Sequence, residues 1–297
     1  MSHITESDLK KVTVPHIRSR KGGAPIIALT AYDYPSARLV DEAGFDFILV
    51  GDSLAQTVLG YDSTLPVTLE EMIAASRAVR RATRRALIVG DMPFGSYQDS
   101  IQRAVESAVR FVKEGGAEAV KIEGGAKRAH IIKAIVESEI PVMGHIGLTP
   151  QSVLRMGGYR VQGKTIETAR ELIEDAIALE RAGAFAVVLE GIPSEISRLI
   201  TERVGIPTIG IGAGISCDGQ ILVFSDLIGL TFGHTAKFVR RYADVKGVIG
   251  GALRQFADDV AAGRFPAEQE SYHLPEGVVV EVEEEGAQSM PPLGPVN

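Results

Sequence analysis

Lys121 and Glu123 stand two residues apart at the end of an apolar run that begins near Ala117 and is broken by Gly124 and Gly125. On a strand, alternate side chains share a face, so this run would present a cation and an anion side by side. Taking both out of water is costly unless something offsets their desolvation. The pair is therefore either an internal ion pair that stiffens the core or part of a ligand or metal site. Four other apolar runs end in the same manner: Val50-Gly51-Asp52-Ser53, Val89-Gly90-Asp91-Met92-Pro93, Gly144-His145-Ile146-Gly147 and Leu189-Glu190-Gly191. An Asp after a strand often only caps the next loop or helix. Five consecutive strand ends that each deliver an ionisable group to one rim point instead to a site.

Asp52, Asp91 and Glu123 offer oxygen ligands with no cysteine near them, a donor set that suits a hard divalent cation such as Mg²⁺. The alternative is that each carboxylate bonds loop amides, which would leave Lys121 without a purpose. Glu190 closes the apolar run Ala186-Val187-Val188-Leu189. Such surroundings raise a carboxyl pKa and make it a usable base near neutral pH. His145 could act as ligand, acid, hydrogen-bond donor or plain structural residue.

These groups need strands of a particular kind. Apolar runs occur at 25–31, 45–51, 86–90, 117–122, 141–144, 185–189, 207–211 and 221–224, and helical patterns at 35–42, 69–82, 100–114, 127–138, 166–181 and 195–203 lie between most of them. Several helices stop at a glycine (Gly44, Gly115, Gly183, Gly205), the usual left-handed cap. The strands are continuously apolar rather than alternating, as in a parallel sheet covered on both faces. About eight such units in this length predict an α/β fold, a (β/α)₈ TIM barrel whose chemistry sits at the carboxyl ends of the strands. A doubly wound sheet has the same local rhythm. A helix is expected over 6–18 and closing helices over 235–242 and 245–262. The reading is one catalytic domain over 1–273 and an appended tail over 274–297, weakly ordered and without chemistry, that carries the acidic run Glu281–Glu285.

With 45% hydrophobic and 23% charged residues over 297 positions, the chain is of ordinary globular composition. A formal net charge of −7 argues against nucleic acid as a partner. Arg80, Arg81, Arg84 and Arg85 form the densest basic cluster, but they close a helix, where cations suit the dipole. The single cysteine, Cys217, rules out an internal disulfide or a thiolate metal site. No run approaches the ~18 apolar residues of a membrane span, so a cytoplasmic, membrane-free protein is expected.

Two motifs need separate weighing. Gly158-Tyr159-Arg160-Val161-Gln162-Gly163-Lys164-Thr165 matches the phosphate-loop pattern, but that motif requires a strand directly before it, and 151–156 does not read as one. An active-site loop is the better reading. Gly210-Ile211-Gly212-Ala213-Gly214 follows the seventh strand but lacks the last glycine of the dinucleotide fingerprint, since Ile215 holds that place.

The segments Val50–Ser53, Asp62–Thr68, Val120–Gly125, Gly144–Gln151 and Ile209–Gly214 stand as they do in the ketopantoate hydroxymethyltransferase family, and Thr30–Tyr34 fits as well. The resemblance runs from about Lys10 to His273. It implies a Mg²⁺-dependent barrel enzyme of pantothenate synthesis, similar to the phosphoenolpyruvate/pyruvate barrels. Such an enzyme would move a one-carbon unit from 5,10-methylenetetrahydrofolate to 3-methyl-2-oxobutanoate, giving 2-dehydropantoate. By resemblance Asp52, Asp91 and Glu123 are the metal set, and Ser53 and Lys121 contact the keto acid together with Asp52 and Asp91. His145 is added as a substrate contact, Glu190 is the proton acceptor, and Lys121 stabilises the enolate. Members form large homo-oligomers, commonly decamers. A carbon–carbon lyase or phosphonomutase on the same barrel is the nearest competitor; such enzymes commonly carry a cysteine-bearing loop, whereas Cys217 falls after the seventh strand. A nucleotide-binding protein using Lys164 is the competitor from another class.

Overall fold

The apolar runs become eight parallel strands: β1 (Ile26–Thr30), β2 (Phe47–Val50), β3 (Leu87–Asp91), β4 (Ala119–Glu123), β5 (Val142–Gly147), β6 (Ala186–Glu190), β7 (Thr208–Ile211) and β8 (Gly219–Leu222). In the computed structural model, which describes residues 10–233 and 235–278, each strand pairs with the next and β8 pairs with β1, Ile26 opposite Gly219. The sheet is closed, so the doubly wound alternative is excluded. The helices are α1 (Val14–Ser19), α2 (Tyr34–Glu42), α3 (Leu54–Thr57), α4 (Leu69–Ala82), α5 (Ile101–Lys113), α6 (Ala129–Glu137), α7 (Val153–Met156), α8 (Ile166–Arg181), α9 (Ser194–Arg203), α10 (Phe224–Leu227) and α11 (Val245–Ala261). None is long and apolar enough to cross a membrane among the described residues.

Strand alternation splits the core in two. Outward side chains such as Ile48, Val50, Ile88, Val120, Ile122 and Leu189 pack with the helices. Inward ones, including Phe47, Leu87, Val89, Met143, Val188 and Ile209, fill the barrel. Helix α4 starts at a reciprocal cap between Thr68 and Glu71, which satisfies two otherwise orphaned donors.

The amino-terminal helix begins later than the sequence predicts. Residues 1–9 lie outside the described residues, and α1 starts only at Val14, capped by Thr13 Oγ1 accepting from His16 N at 3.4 Å. Pro15 is tolerated only in a first turn, so the helix cannot run through it. Val12 and Ile17 instead drop into the lower end of the barrel, with Phe47 and Leu87 in the same apolar cluster. Around them basic residues meet acids that precede the strands. Lys11 Nζ lies 2.6 Å from Glu118 Oε2, Lys21 Nζ 2.9 Å from Asp218 Oδ2 and Arg20 3.6 Å from Asp46.

Residues 235–242 are not helical as expected. One turn remains, with Val239 N donating to Ala236 O at 3.0 Å, but the end of the segment bonds elsewhere: Tyr242 N donates to Leu227 O at 2.8 Å, and beyond it Val245 N donates to Ile228 O at 3.0 Å. The eighth strand also lies slightly earlier than expected, because its register is set by β1 and Phe224 N turns away to Thr30 Oγ1. Chain packing divides the protein into Met1–Lys246, which holds the barrel, and Gly247–Asn297. The second unit consists of most of α11 and the segment after it, where Phe256 meets Phe265 edge to face at 5.3 Å. Of the tail expected over 274–297, residues 279–297 lie outside the described residues.

Candidate active site

Asp91, Lys121, Glu123, His145 and Glu190 come together because each occupies an inward position on its strand; Asp52 lies two residues beyond the end of β2. In β3, Gly90 faces outward and Asp91 inward; in β5, Gly144 faces outward and His145 inward. A Cβ on Gly90 would come within 2.5 Å of the Phe111 ring of α5, and one on Gly144 within 2.6 Å of Leu179 of α8. The glycines thus let the helices press on the sheet where the next residue carries charge into the barrel. Register then does the rest, with Asp91 opposite Lys121, Glu123 opposite His145 and Gly147 opposite Glu190.

Lys121 is the hub. Its Nζ lies 2.8 Å from Asp91 Oδ1 and 4.0 Å from Glu123 Oε1, and 3.1 Å from His145 Nδ1. Since Lys121 can only donate, Nδ1 accepts, which leaves the proton of a neutral imidazole on Nε2. That atom lies 3.2 Å from Glu190 Oε2. Asp52 joins the group through its backbone N–H, which donates to Asp91 Oδ2 at 3.0 Å. Ser53 Oγ lies 2.8 Å from Tyr32 Oη, which is bonded to Thr30. All seven residues singled out in the sequence (Asp52, Ser53, Asp91, Lys121, Glu123, His145, Glu190) line one cavity of about 750 Å³ at the carboxyl end of the barrel.

The residue that sequence reasoning passed over is Gln151. Its Nε2 donates to Asp52 Oδ2 at 3.0 Å and to Met92 O at 2.9 Å, and its backbone N–H donates to Glu123 Oε2 at 3.0 Å. Its own Oε1 accepts from Tyr97 Oη at 2.7 Å and Gln98 Nε2 at 3.0 Å. Gln151 therefore fixes two of the three carboxylates. The available signal was its place at the end of the segment Gly144–Gln151.

The electrostatics follow from crowding acids out of water. Burial first, then the Asp91 carboxylate, raises Asp52 to about 7, against the pull of Lys121 and Gln151. Burial, reinforced by Asp52 and Asp91, raises Glu123 well above the ordinary carboxyl range against the pull of Lys121. Glu190 is pushed up to about 7 by burial, with Lys121 opposing. Burial alone would lower Lys121, but Asp91, Glu123 and Asp52 outweigh it and keep it charged. His145 is driven well below its usual value by burial and by Lys121, so it is neutral and its contacts with Glu123 and Glu190 are not ion pairs.

One ammonium faces four acids here. Glu123 Oε1 is buried without a hydrogen-bond partner, a condition that invites a cation or a donor. All-oxygen chemistry suits a hard divalent ion. Yet among the described residues no group of three or more His, Cys, Asp or Glu side chains is arranged to hold a metal ion; Lys121 stands between Asp91 and Glu123. The donor set thus fits an ion held by one or two carboxylates and completed by substrate oxygens and water, the usual mode for Mg²⁺.

The other motifs settle as follows. Residues 157–164 follow the short helix α7, not a strand, and Thr165 caps α8, so the phosphate-loop context is missing. Tyr159, Arg160 and Val161 border the same cavity instead. Cys217 is partly buried and is not among the residues lining the cavity.

Residues 11–268 match the family model described as ketopantoate hydroxymethyltransferase. The 3-methyl-2-oxobutanoate hydroxymethyltransferase of Koribacter versatilis is 59% identical over 276 residues, covering 93% of this chain and 94% of that protein. The protein of the same name from Geotalea daltonii is 55% identical over 265 residues, 89% of this chain and 99% of its own. Among solved structures, a phosphonopyruvate hydrolase aligns with a TM-score of 0.57 at 14% identity, over 88% of this chain and 93% of that one. A 2,3-dimethylmalate lyase of the PEP mutase/isocitrate lyase superfamily aligns at 0.56 and 18% identity, over 87% and 91%. Those two likenesses speak for the barrel. The near full-length match and relatives above half identity speak for more, and on them this chain belongs to the ketopantoate hydroxymethyltransferase family.

Proposed function

We propose that this protein transfers a one-carbon unit from 5,10-methylenetetrahydrofolate to 3-methyl-2-oxobutanoate, giving 2-dehydropantoate and tetrahydrofolate with uptake of one water. The observation that carries the reading is the line Lys121–His145–Glu190 at the cavity floor, with a base raised to about 7 at its end. Lys121 supplies fixed positive charge to the carboxylate and carbonyl oxygens of the keto acid, in a setting where water is largely excluded. Ser53, Asp52 and Asp91 border the same floor and orient the acid. One or two of the carboxylates Asp52, Asp91 and Glu123 would hold Mg²⁺, with substrate oxygens and water completing its shell; when bound, the ion would supply Lewis-acid polarisation of the keto oxygen.

Glu190 takes the proton from C3, and the electron pair of that C–H bond moves into the enolate. His145, held by Lys121 and keeping its proton on Nε2, stands 3.2 Å from Glu190 Oε2 without hydrogen-bond geometry; a small rotation of the carboxylate would bring the two into a hydrogen bond that orients the base. Opening of the methylene bridge breaks one C–N bond to give an iminium; the enolate carbon bonds to that carbon as the iminium π pair moves onto nitrogen. Water then replaces the remaining C–N bond, leaving the hydroxyl on the product and the protons on tetrahydrofolate. Positioned bases contribute ~10²–10⁴-fold in rate. The test is to incubate the protein with Mg²⁺, keto acid and methylenetetrahydrofolate and measure 2-dehydropantoate. If none forms while the divalent ion and keto acid bind, this reading is wrong.

A further inference from the structure

The floor of the cavity is acidic, but its rim is not. Arg160 and Lys237 both line the cavity, and both are exposed at their outer ends. Arg160 comes from the loop between α7 and α8, Lys237 from the irregular segment after α10, so two distant stretches bring a cation to the same opening. Neither side chain has a hydrogen-bonding or ion-pair partner among the described residues. Asp226, an acid in the same lining, is bonded by Thr231 Oγ1 at 2.5 Å. Beside each cation stands an aromatic ring, Tyr159 and Phe238, both in the cavity wall. Phe238 is seated against Gly212, where a Cβ would come within 2.6 Å of its ring.

We infer that this rim binds the anionic tail of the folate co-substrate, with Arg160 and Lys237 taking the glutamate carboxylates. The inference rests on the donor proposed above. A folate is a flat, largely neutral heterocycle and aminobenzoyl ring joined to a dicarboxylate. The floor, crowded with acids and taken up by the keto acid, offers that dicarboxylate no free cation, while the two cations that have no partner among the described residues attract it at the opening. Electrostatics of this sort selects orientation as well as affinity. The reactive methylene is thereby directed inward toward the keto acid, and the two rings offer apolar faces along the way. The mouth cations do not touch the reacting atoms; they are positioning residues.

The test compares 5,10-methylenetetrahydrofolate with 5,10-methylenetetrahydropteroate, which has the same ring system but no glutamate. The wild-type protein is expected to show the lower KM for the glutamate-bearing donor, and added salt should narrow the gap. In Arg160→Ala/Lys237→Ala the KM for methylenetetrahydrofolate should rise roughly three- to tenfold, as for two exposed ion pairs, toward that of the pteroate. Arg160→Lys should retain most of the discrimination. The KM for the keto acid and folate-independent deuterium exchange at C3 should not move. Equal KM values for both donors in the wild type, or undiminished discrimination in the double variant, overturns the inference and leaves the donor intact. Absence of product with either donor in the wild type overturns the donor itself, and the inference with it.

Discussion

His145 has neighbours of two kinds: an ammonium on one ring nitrogen and a carboxyl on the other. Burial and the ammonium keep it neutral against the opposing pull of Asp91, and the role proposed for it is to orient Glu190 without competing for the substrate proton. Glu190→Gln should therefore still bind keto acid but lose solvent deuterium exchange at C3 by ~10²–10⁴-fold; exchange at the wild-type rate would remove Glu190 from the base role. The pH dependence has a defined sign. The base form of Glu190 grows as pH rises through about 7, so exchange should climb across that value, and a flat profile from pH 5 to 9 would contradict the assignment. Stability moves the other way. Between about 4.5 and about 7 the folded state holds a proton that the unfolded state has released, so the contribution of Glu190 to stability falls as pH rises through that window. The ionisable part of the site was legible in the sequence because charge at the end of an apolar strand is conspicuous by its cost. Gln151 was not: an uncharged amide draws no such notice, and its carboxylate partners lie 28 and 99 residues away.

Helices and strands owe their fit to a few polar clamps that have no part in the chemistry. Asp41, buried on α2, accepts from Arg84 N at 2.8 Å, Arg85 N at 3.0 Å and Ala86 N at 2.7 Å, tying one helix to the entry of β3. Asp41→Ala strands those donors, and each buried unsatisfied group costs ~1–3 kcal/mol. Loss of about 3 kcal/mol in urea unfolding is expected, with C3 exchange by the surviving folded protein unchanged; a loss under about 0.5 kcal/mol would show that water takes over the role. Gly90→Leu should be worse, since the side chain would meet Phe111. Six strand–helix units were readable from apolar period and caps, with α4 and α8 starting and ending where expected. The failures have physical causes. Pro15 fixes where the first helix starts, and 235–242 keeps a single turn and ends in a bond to α10. The second depends on contacts that a local pattern does not contain; the first was written in the sequence, in Pro15.

For the molecule as a whole, the acidic floor is an energetic burden that the proposed divalent cation would relieve. Mg²⁺ together with keto acid should raise the Tm of the wild-type protein and restore C3 exchange lost to a chelator. Asp91→Ala should weaken both responses; undiminished affinity for ion and keto acid in that variant would break the proposed chelate. The closed sheet and the plug formed by Val12, Ile17 and α1 bear on something else. A barrel stoppered at its base has a single door, and what enters first is trapped beneath what enters second. Turnover should accordingly be sequential, with the small acid in before the bulky donor, and the spent carrier out before the lengthened acid can escape. Product-inhibition patterns showing either partner free to leave first would mean that the mouth passes the two independently.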